Sequence, residues 1–167
     1  IEQLPIPTIG VINGPAMGAG LELALACDIR FGSRNAKMGI PVGRLGITLN
    51  QKFAQRLVQF IGPSLAKDLV YTGRILDAEE CLRLGMLNYL VDEDRLDRVA
   101  AEQGKVIAAQ SPASLYAVKR SVAQCLSRVE VPWGDTRHTF VDPIDFPEGV
   151  TAFVEKRPPK FERIKHK

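Results

Sequence analysis

The chain has 167 residues, of which 46% are hydrophobic and 25% are charged, and this composition excludes a disordered tail, a collagen-like rod and a disulfide-stapled mini-protein. The net charge of +3 is too small to indicate nucleic-acid binding, and no stretch approaches the roughly 20 apolar residues that span a bilayer. Three widely separated cysteines show no zinc-ligand spacing, so we expect no metal site and a reducing, intracellular compartment.

The first part of the chain predicts strands separated by one helix. Short apolar and β-branched runs indicate three strands, at residues 8–12, 29–32 and 37–39. A turn signal at residues 13–15 precedes a helix that should begin near Gly18 or Ala19 and end at residues 27–28. Two or three short strands make a poor sheet by themselves, because parallel strands are normally covered on both faces. We therefore expect the first strand to pair with strands upstream of Ile1.

From about Gln51 the apolar residues recur at helical spacing, and most of the remaining chain is predicted to be helical. A second helix should start at Pro63, and Asp77 should cap a third over residues 78–84 that stops at Gly85. Further helices are predicted at residues 96–109, 112–126 and 148–156, with Ser111 as the cap before Pro112 and a short strand or extended link at 87–91.

The element order divides the chain into a small α/β portion, residues 1–76, and a helical portion, residues 77–167. The last twelve residues hold a basic tail with one acid, Glu162, and six basic residues: Lys156, Arg157, Lys160, Arg163, Lys165 and Lys167. Such a tail can hold phosphates, but a solvated, partly frayed terminus is the simpler interpretation.

A glycine-rich turn between the first strand and the first helix is the most informative segment for function. It contains Gly18, Ala19 and Gly20. Backbone N–H groups at a helix start lack intrahelical partners, and small residues let a ligand approach them. Three interpretations compete: a nucleotide-phosphate loop, which lacks the GxGxxG pattern and the Walker lysine; glycines that pack the helix tightly on the sheet; and an oxyanion hole for a carbonyl oxygen.

Glu22 stands on the first turn of that helix, in the least polar stretch of the chain. A charge there is unfavourable unless it is paired or functional. One interpretation is a carboxylate that caps its own helix or meets an arginine, with Arg30 available. The other is a general acid/base beside the oxyanion donors.

Two long motifs carry a resemblance to a known family. They are residues 9–14 (IGVING) with residues 16–30 (AMGAGLELALACDIR), and residues 148–157 (EGVTAFVEKR) near the C-terminus. With shorter motifs between them, the chain resembles the crotonase superfamily (enoyl-CoA hydratase/isomerase) over nearly its whole length. The resemblance implies an α/β, crotonase-like ββα-spiral core that lacks its N-terminal part, followed by an α-helical trimerisation region.

The resemblance also implies the chemistry. Family members act on acyl-CoA thioesters and stabilise a thioester enolate in an oxyanion hole during hydration, double-bond isomerisation or decarboxylation. Ala19 matches the position whose N–H is one oxyanion donor, and Gly18 and Gly20 match its small neighbours. Glu22 matches one of the two catalytic glutamates of the hydratases.

Further expectations follow from the same resemblance. Phe153 and Lys156 match positions that approach bound coenzyme A in a neighbouring subunit. Coenzyme A is expected only as part of the substrate, with no permanently bound cofactor. The expected assembly is a homotrimer or a dimer of trimers, without nucleic-acid or membrane partners. The expected location is the cytoplasm, or the mitochondrial matrix or peroxisome in a eukaryote. Five residues could line the acyl pocket or serve only in packing: Gln51, Lys52, Phe53, Trp133 and Phe140.

The chain departs from the family pattern at the second catalytic glutamate. In the hydratases that residue follows a Gly-x-Pro triplet, but residues 39–41 are followed here by Val42. The other oxyanion donor belongs to the family's N-terminal half, which this chain lacks. A single carboxylate suits isomerisation, decarboxylation or slow hydration better than fast hydration. A catalytically weak acyl-CoA-binding or assembly module is therefore the alternative.

Overall fold

The computed structural model describes residues 1–42, 49–126 and 144–161, and the chain divides into two compact units. The first unit comprises residues 1–4 and 8–103, and the second comprises residues 5–7 and those from 104 onward. The predicted division between residues 76 and 77 falls inside the first unit, because elements beyond residue 77 complete its sheet and its core.

Two three-stranded sheets form the frame of the first unit. One consists of parallel strands with β3 in the centre: β1 (Ile9–Ile12), β3 (Ile29–Ser33) and β6 (Tyr89–Val91). In the other sheet the central strand is β4 (Lys37–Gly39). It is parallel to β2 (Pro15–Met17) and antiparallel to β5 (Ile75–Leu76). Within the described residues β1 pairs with β3 alone, so it forms one edge of its sheet.

The described residues also form six α-helices: α1 (Ala19–Leu25), α2 (Gln51–Thr72), α3 (Ala78–Arg83), α4 (Leu96–Ala108), α5 (Pro112–Leu126) and α6 (Asp145–Glu155). A 3-10 turn at Glu93–Arg95 leads into α4. Over the same described ranges, no helix combines the length and the hydropathy that crossing a membrane requires.

Side-chain caps mark the starts of three described helices, α2, α3 and α5. The side chains of Asn50, Asp77 and Ser111 each accept a hydrogen bond from the backbone N–H three residues later, at 2.8, 2.8 and 3.1 Å. Within α2, Gly62 adopts a left-handed φ of 73°, and Pro63 starts a new helical segment. The predicted helix start at Pro63 and the predicted caps at Asp77 and Ser111 are therefore confirmed.

Three elements differ from the prediction because tertiary contacts override local sequence signals. Strand β2 begins at Pro15, where a turn was expected, because residues 15–17 pair with β4. Strand β5 has only two residues and exists through its antiparallel pairing with β4. Helix α6 starts at Asp145 instead of residue 148, and the buried Asp145 carboxylate accepts a hydrogen bond from Ser111 in the second unit.

The main core of the first unit consists of buried side chains from β4 and from the helices and strands around it. Its fully buried members include six side chains from α1, β4, α2, β5 and α3: Leu21, Met38, Leu57, Leu69, Leu76 and Cys81. A second cluster of Phe31, Leu96 and Ala100 packs the first turns of α4 on β3. The main core holds α1 with Leu21 buried and Leu23 exposed.

Arg30 is a buried cation that joins β3 to the segment before β6. Its side chain donates to Met86 O at 2.7 Å, to Cys27 O at 2.6 Å and to Asn88 Oδ1 at 3.1 Å, and it lies 4.6 Å from the ring centroid of Phe60. Burial lowers the pKa of Arg30 from its ordinary value. These contacts give Arg30 a structural role.

Gly32 provides a test of the packing between β3 and the segment before β6. A Cβ added at Gly32 would lie 2.4 Å from Cδ1 of Leu87, which is 1% exposed and packed in the main core. We therefore expect Gly32→Ala to lower the free energy of unfolding by about 2 kcal/mol, measured by urea denaturation. The control is Gly14→Ala, because a Cβ there would meet nothing within 4 Å. Equal urea midpoints for Gly32→Ala and wild type would contradict the prediction.

Candidate active site

A cavity of about 440 Å³ lies in the first unit, where α1 faces the start of α2. The side chains that matter most for its chemistry are Glu2, Ala19, Glu22, Leu23, Lys52 and Arg56. Leu23 and the neighbouring Ala26 give the cavity an apolar surface, while the other side chains supply two carboxylates and two cations. The cavity therefore combines an apolar wall with charged groups of both signs.

The backbone of the glycine turn is fixed by β-sheet pairing. The Gly18 N–H donates to Gly39 O at 3.0 Å, and α1 then begins at Ala19. The first backbone N–H bonded within α1 is that of Glu22, which donates to Gly18 O at 3.0 Å. In the described part of the chain, the N–H groups of Ala19 and Gly20 therefore remain open donors beside the cavity.

The glycines of this turn do not serve tight packing. A Cβ added at Gly18 or Gly20 would meet nothing within 4 Å. Gly18 instead adopts a φ of 52°, which L side chains rarely tolerate. The interpretation that these glycines let α1 pack closely on a sheet is therefore wrong.

Glu22 faces the cavity, and its contacts come from the start of α2. Its Oε1 lies 3.3 Å from Asn50 Nδ2 and 3.5 Å from Arg56 Nη1, and the Glu22 side chain is 31% exposed. The expectation that Arg30 could be the arginine partner is wrong, because Arg30 is held by backbone carbonyls and by Asn88. Glu22 is thus anchored from one side and open to the cavity.

The second carboxylate of the cavity, Glu2, is fully engaged in ion pairs. Arg56 Nε donates to Glu2 Oε1, and Lys52 Nζ lies 3.1 Å from Glu2 Oε2. The hydrogen bond from Arg56 lowers the pKa of Glu2 to about 2, with a smaller contribution from Lys52. The same bond raises the pKa of Arg56. Glu2 therefore stays ionised near neutral pH and is a poor proton carrier.

The position predicted to lack the second glutamate is apolar in the structure. Val42 is partly buried and packs against the main core. Of the possible acyl-pocket residues, Lys52 lines the cavity, Phe53 is buried in the core and Gln51 is exposed at the start of α2. Trp133 and Phe140 lie outside the described residues.

Phe153 and Lys156 belong to the second unit, at the end of α6. Phe153 is 86% exposed, and Lys156 ends the helix with a left-handed φ of 53°. In the basic tail, Arg157 bonds both oxygens of Glu148 at 2.7 and 3.0 Å and also Glu155 at 2.5 Å. The tail residues after 161 lie outside the described part of the chain.

Sequence reasoning missed Glu2, Asn50 and Arg56 as site residues. A usable signal existed for Arg56, because it lies between Phe53 and Leu57 on the buried face of α2, and a charge there requires a partner. Asn50 carried an N-cap signal at the start of α2. Nothing in the local sequence indicates that Glu2 or Glu22 would be the partner.

Comparisons with known proteins agree on one family. Residues 1–164 match the profile described as enoyl-CoA hydratase/isomerase. The chain is 36% identical to mitochondrial methylglutaconyl-CoA hydratase of Mus musculus, covering 97% of this chain and 54% of that protein. It is 36% identical to crotonyl-CoA hydratase of Syntrophomonas wolfei, covering 96% of this chain and 64% of that protein.

A solved structure gives the same result for the fold. An enoyl-CoA hydratase/carnithine racemase from Magnetospirillum magneticum superposes with a TM-score of 0.90 at 32% identity, over 96% of this chain and 61% of that one. The chain thus spans about half the length of its mammalian relative and less than two thirds of the bacterial relative and the solved structure.

The Glu2 ion pairs predict a pH-dependent stability. The folded pKa of Glu2, about 2, lies below its ordinary value of 4.5, so the stabilisation is present above pH 4.5 and disappears as the pH falls toward 2. We expect Glu2→Gln to lower the free energy of unfolding by about 1 kcal/mol at pH 7, a figure reduced for solvent screening. Urea denaturation of both proteins between pH 7 and pH 2 measures the difference.

The control for this experiment is Glu79→Gln. Glu79 is 80% exposed and lies 3.6 Å from Arg34, so its replacement should change stability little at any pH. A Glu2→Gln difference that stays constant from pH 7 to pH 2 would contradict the assignment.

Proposed function

The chain belongs to the enoyl-CoA hydratase/isomerase family, its α/β fold is crotonase-like, and we propose that it forms part of an enzyme that processes acyl-CoA thioesters. In this proposal the Ala19 N–H is one donor of an oxyanion hole for the thioester enolate, and Glu22 is the acid/base. Gly18 and Gly20 flank the donor and leave room for the thioester. Coenzyme A enters only as part of the substrate.

One observation carries the proposal: Ala19 and Glu22 line the same cavity. The Ala19 N–H is an open donor at the start of α1, and Glu22 follows it by three residues, which is nearly one helical turn. A thioester carbonyl at Ala19 would therefore have its α-carbon region next to the Glu22 carboxylate. Two relatives bear the names of hydratases that act on CoA thioesters, which supports the substrate class.

Of the described residues that line the cavity, Glu22 supplies the one carboxylate available for proton transfer. A donor at the carbonyl oxygen stabilises the negative charge that develops when a proton leaves the α- or γ-carbon. Glu22 takes that proton, and in double-bond isomerisation the same carboxyl group returns it to the other carbon of the enolate. Glu2 is ionised and paired, and Val42 has no ionisable group. Isomerisation, protonation of an enolate formed by decarboxylation, or slow hydration therefore suits this site better than fast hydration.

Val42 also favours a second candidate function, a catalytically weak acyl-CoA-binding or assembly module. Hydration benefits from two positioned carboxylates, one for the water and one for the carbon. If the protein binds CoA thioesters in calorimetry without turnover of any enoyl-CoA ester, this second function replaces the first.

We further propose that the second unit contributes to a homotrimer or a dimer of trimers. Four apolar side chains of α6 are between 46% and 86% exposed and share one helical face: Phe146, Val150, Phe153 and Val154. An apolar stripe of this size usually marks an interaction surface. In such an assembly Phe153 and Lys156 would approach coenzyme A bound to a neighbouring subunit.

Glu22→Gln tests the catalytic assignment. The amide keeps the size of the side chain but cannot accept a substrate proton, so we expect kcat to fall by on the order of 100-fold or more. The measurement is turnover of a panel of enoyl-CoA esters, including crotonyl-CoA, by the full-length protein. Glu79→Gln is the matched control, because Glu79 is exposed and does not line the cavity. Equal rates for Glu22→Gln and wild type on every active ester would refute the role of Glu22.

Val154→Asp tests the assembly. A charge placed on the apolar face of α6 should dissociate the oligomer, which sedimentation equilibrium would detect as a loss of mass. Thr151→Asp is the control, because Thr151 is exposed on the same helix away from the apolar stripe. A monomeric wild-type protein, or an unchanged mass for Val154→Asp, would contradict the proposal.

A further inference from the structure

The side-chain amide of Asn50 connects the start of α2 to Glu22. Asn50 Oδ1 accepts a hydrogen bond from Phe53 N at 2.8 Å, and Asn50 Nδ2 donates to Glu22 Oε1 at 3.3 Å. The cap fixes the orientation of the amide, because only its oxygen can accept from a backbone N–H. The NH₂ group is therefore turned toward Glu22.

Both contacts of Glu22 fall on the same oxygen. Asn50 Nδ2 and Arg56 Nη1 lie 3.3 and 3.5 Å from Oε1. Among the described residues no hydrogen bond reaches Oε2, and the Glu22 side chain lines the cavity. The two oxygens of the carboxylate are thus different: Oε1 is anchored, and Oε2 is available to a ligand.

We propose that Asn50 is a positioning residue that anchors Glu22 through Oε1 and so assigns proton transfer to Oε2. This inference rests on the proposed function, in which Glu22 is the acid/base. Asn50 suits the task because its amide is neutral and does not titrate, so the anchor persists when Glu22 changes its protonation state. Of the described charged groups, Arg56 contacts Glu22 directly, Glu2 is linked to it through Arg56, and Lys52 pairs with Glu2.

Asn50→Asp separates the anchor from the cap. Aspartate is as good an N-cap as asparagine, so α2 keeps its cap and the thermal midpoint should stay close to that of wild type. The variant loses the donor to Oε1 and places a like charge beside Glu22. We expect kcat to fall about tenfold with KM nearly unchanged, and the acid limb of the kcat profile to move to higher pH by on the order of one unit.

Two further variants sharpen the test. Asn50→Ser retains a capping oxygen but has no amide that reaches Glu22, so kcat should fall without an added charge. Asp77→Asn is the matched control, because it exchanges the same two capping side chains at the start of α3, where the cap donor is Glu80 N. It should leave kcat and the pH profile unchanged.

A second readout does not depend on turnover. The ¹³C resonance of the Glu22 carboxyl group can be followed by NMR through a pH titration of wild type and Asn50→Asp. We expect its midpoint to be displaced upward in the variant, because a like charge then lies beside the carboxylate. A wild-type kcat in Asn50→Asp together with an unchanged Glu22 titration would overturn the inference.

The outcomes also separate this inference from the proposed function. If Glu22→Gln loses activity while Asn50→Asp and Asn50→Ser keep wild-type kcat, the proposed function stands and the inference fails. If Glu22→Gln is as active as wild type, the proposed function fails, and with it the assignment of proton transfer to Oε2. The NMR titration then still decides whether Asn50 anchors the Glu22 carboxylate.

Discussion

The hydrogen bond from Gly18 N–H to Gly39 O is the contact on which the candidate site depends. It extends the pairing of β2 with β4 by one residue and so holds the turn at the point where α1 must begin. Because α1 starts at Ala19, the Ala19 N–H is the first open donor and Glu22 comes nearly one turn later. Leu21, on the opposite side of α1, is buried in the core. The sheet thus sets the position of both proposed functional groups.

The start of α2 supplies the electrostatic surroundings of that site. Arg56 is on the buried face of the helix, with its side chain only 11% exposed, and a cation there requires nearby carboxylates. Glu2 and Glu22 meet that requirement, while Lys52 balances the second negative charge. The side chains of Glu2, Glu22, Lys52 and Arg56 together carry no net formal charge. Glu2 is tightly paired with two cations, whereas Glu22 is only anchored. This difference is the reason for proposing Glu22, and not Glu2, as the acid/base.

Local signals in the sequence predicted most elements of the fold, and long-range contacts explain what they missed. Neighbouring residues alone predict the β-branched runs of β1 and β3, the caps at Asp77 and Ser111 and the helix start at Pro63. Strands β2 and β5 are too short to carry a pattern and exist only through pairing with β4. Ala19 and Glu22 were proposed as site residues from a motif within one helix. Asn50, which contacts Glu22 from 28 positions away, depends on how α2 packs beside α1.

The two glycines beside Ala19 are subject to different evolutionary pressures. At Gly18 the backbone has a positive φ, so selection for correct folding alone disfavours every L-amino acid at that site. At Gly20 the backbone is helical and the space around a Cβ is open, so folding would permit alanine and would even favour it. A requirement for glycine at position 20 would therefore have to come from the proposed thioester substrate, for which a side chain there would take up space.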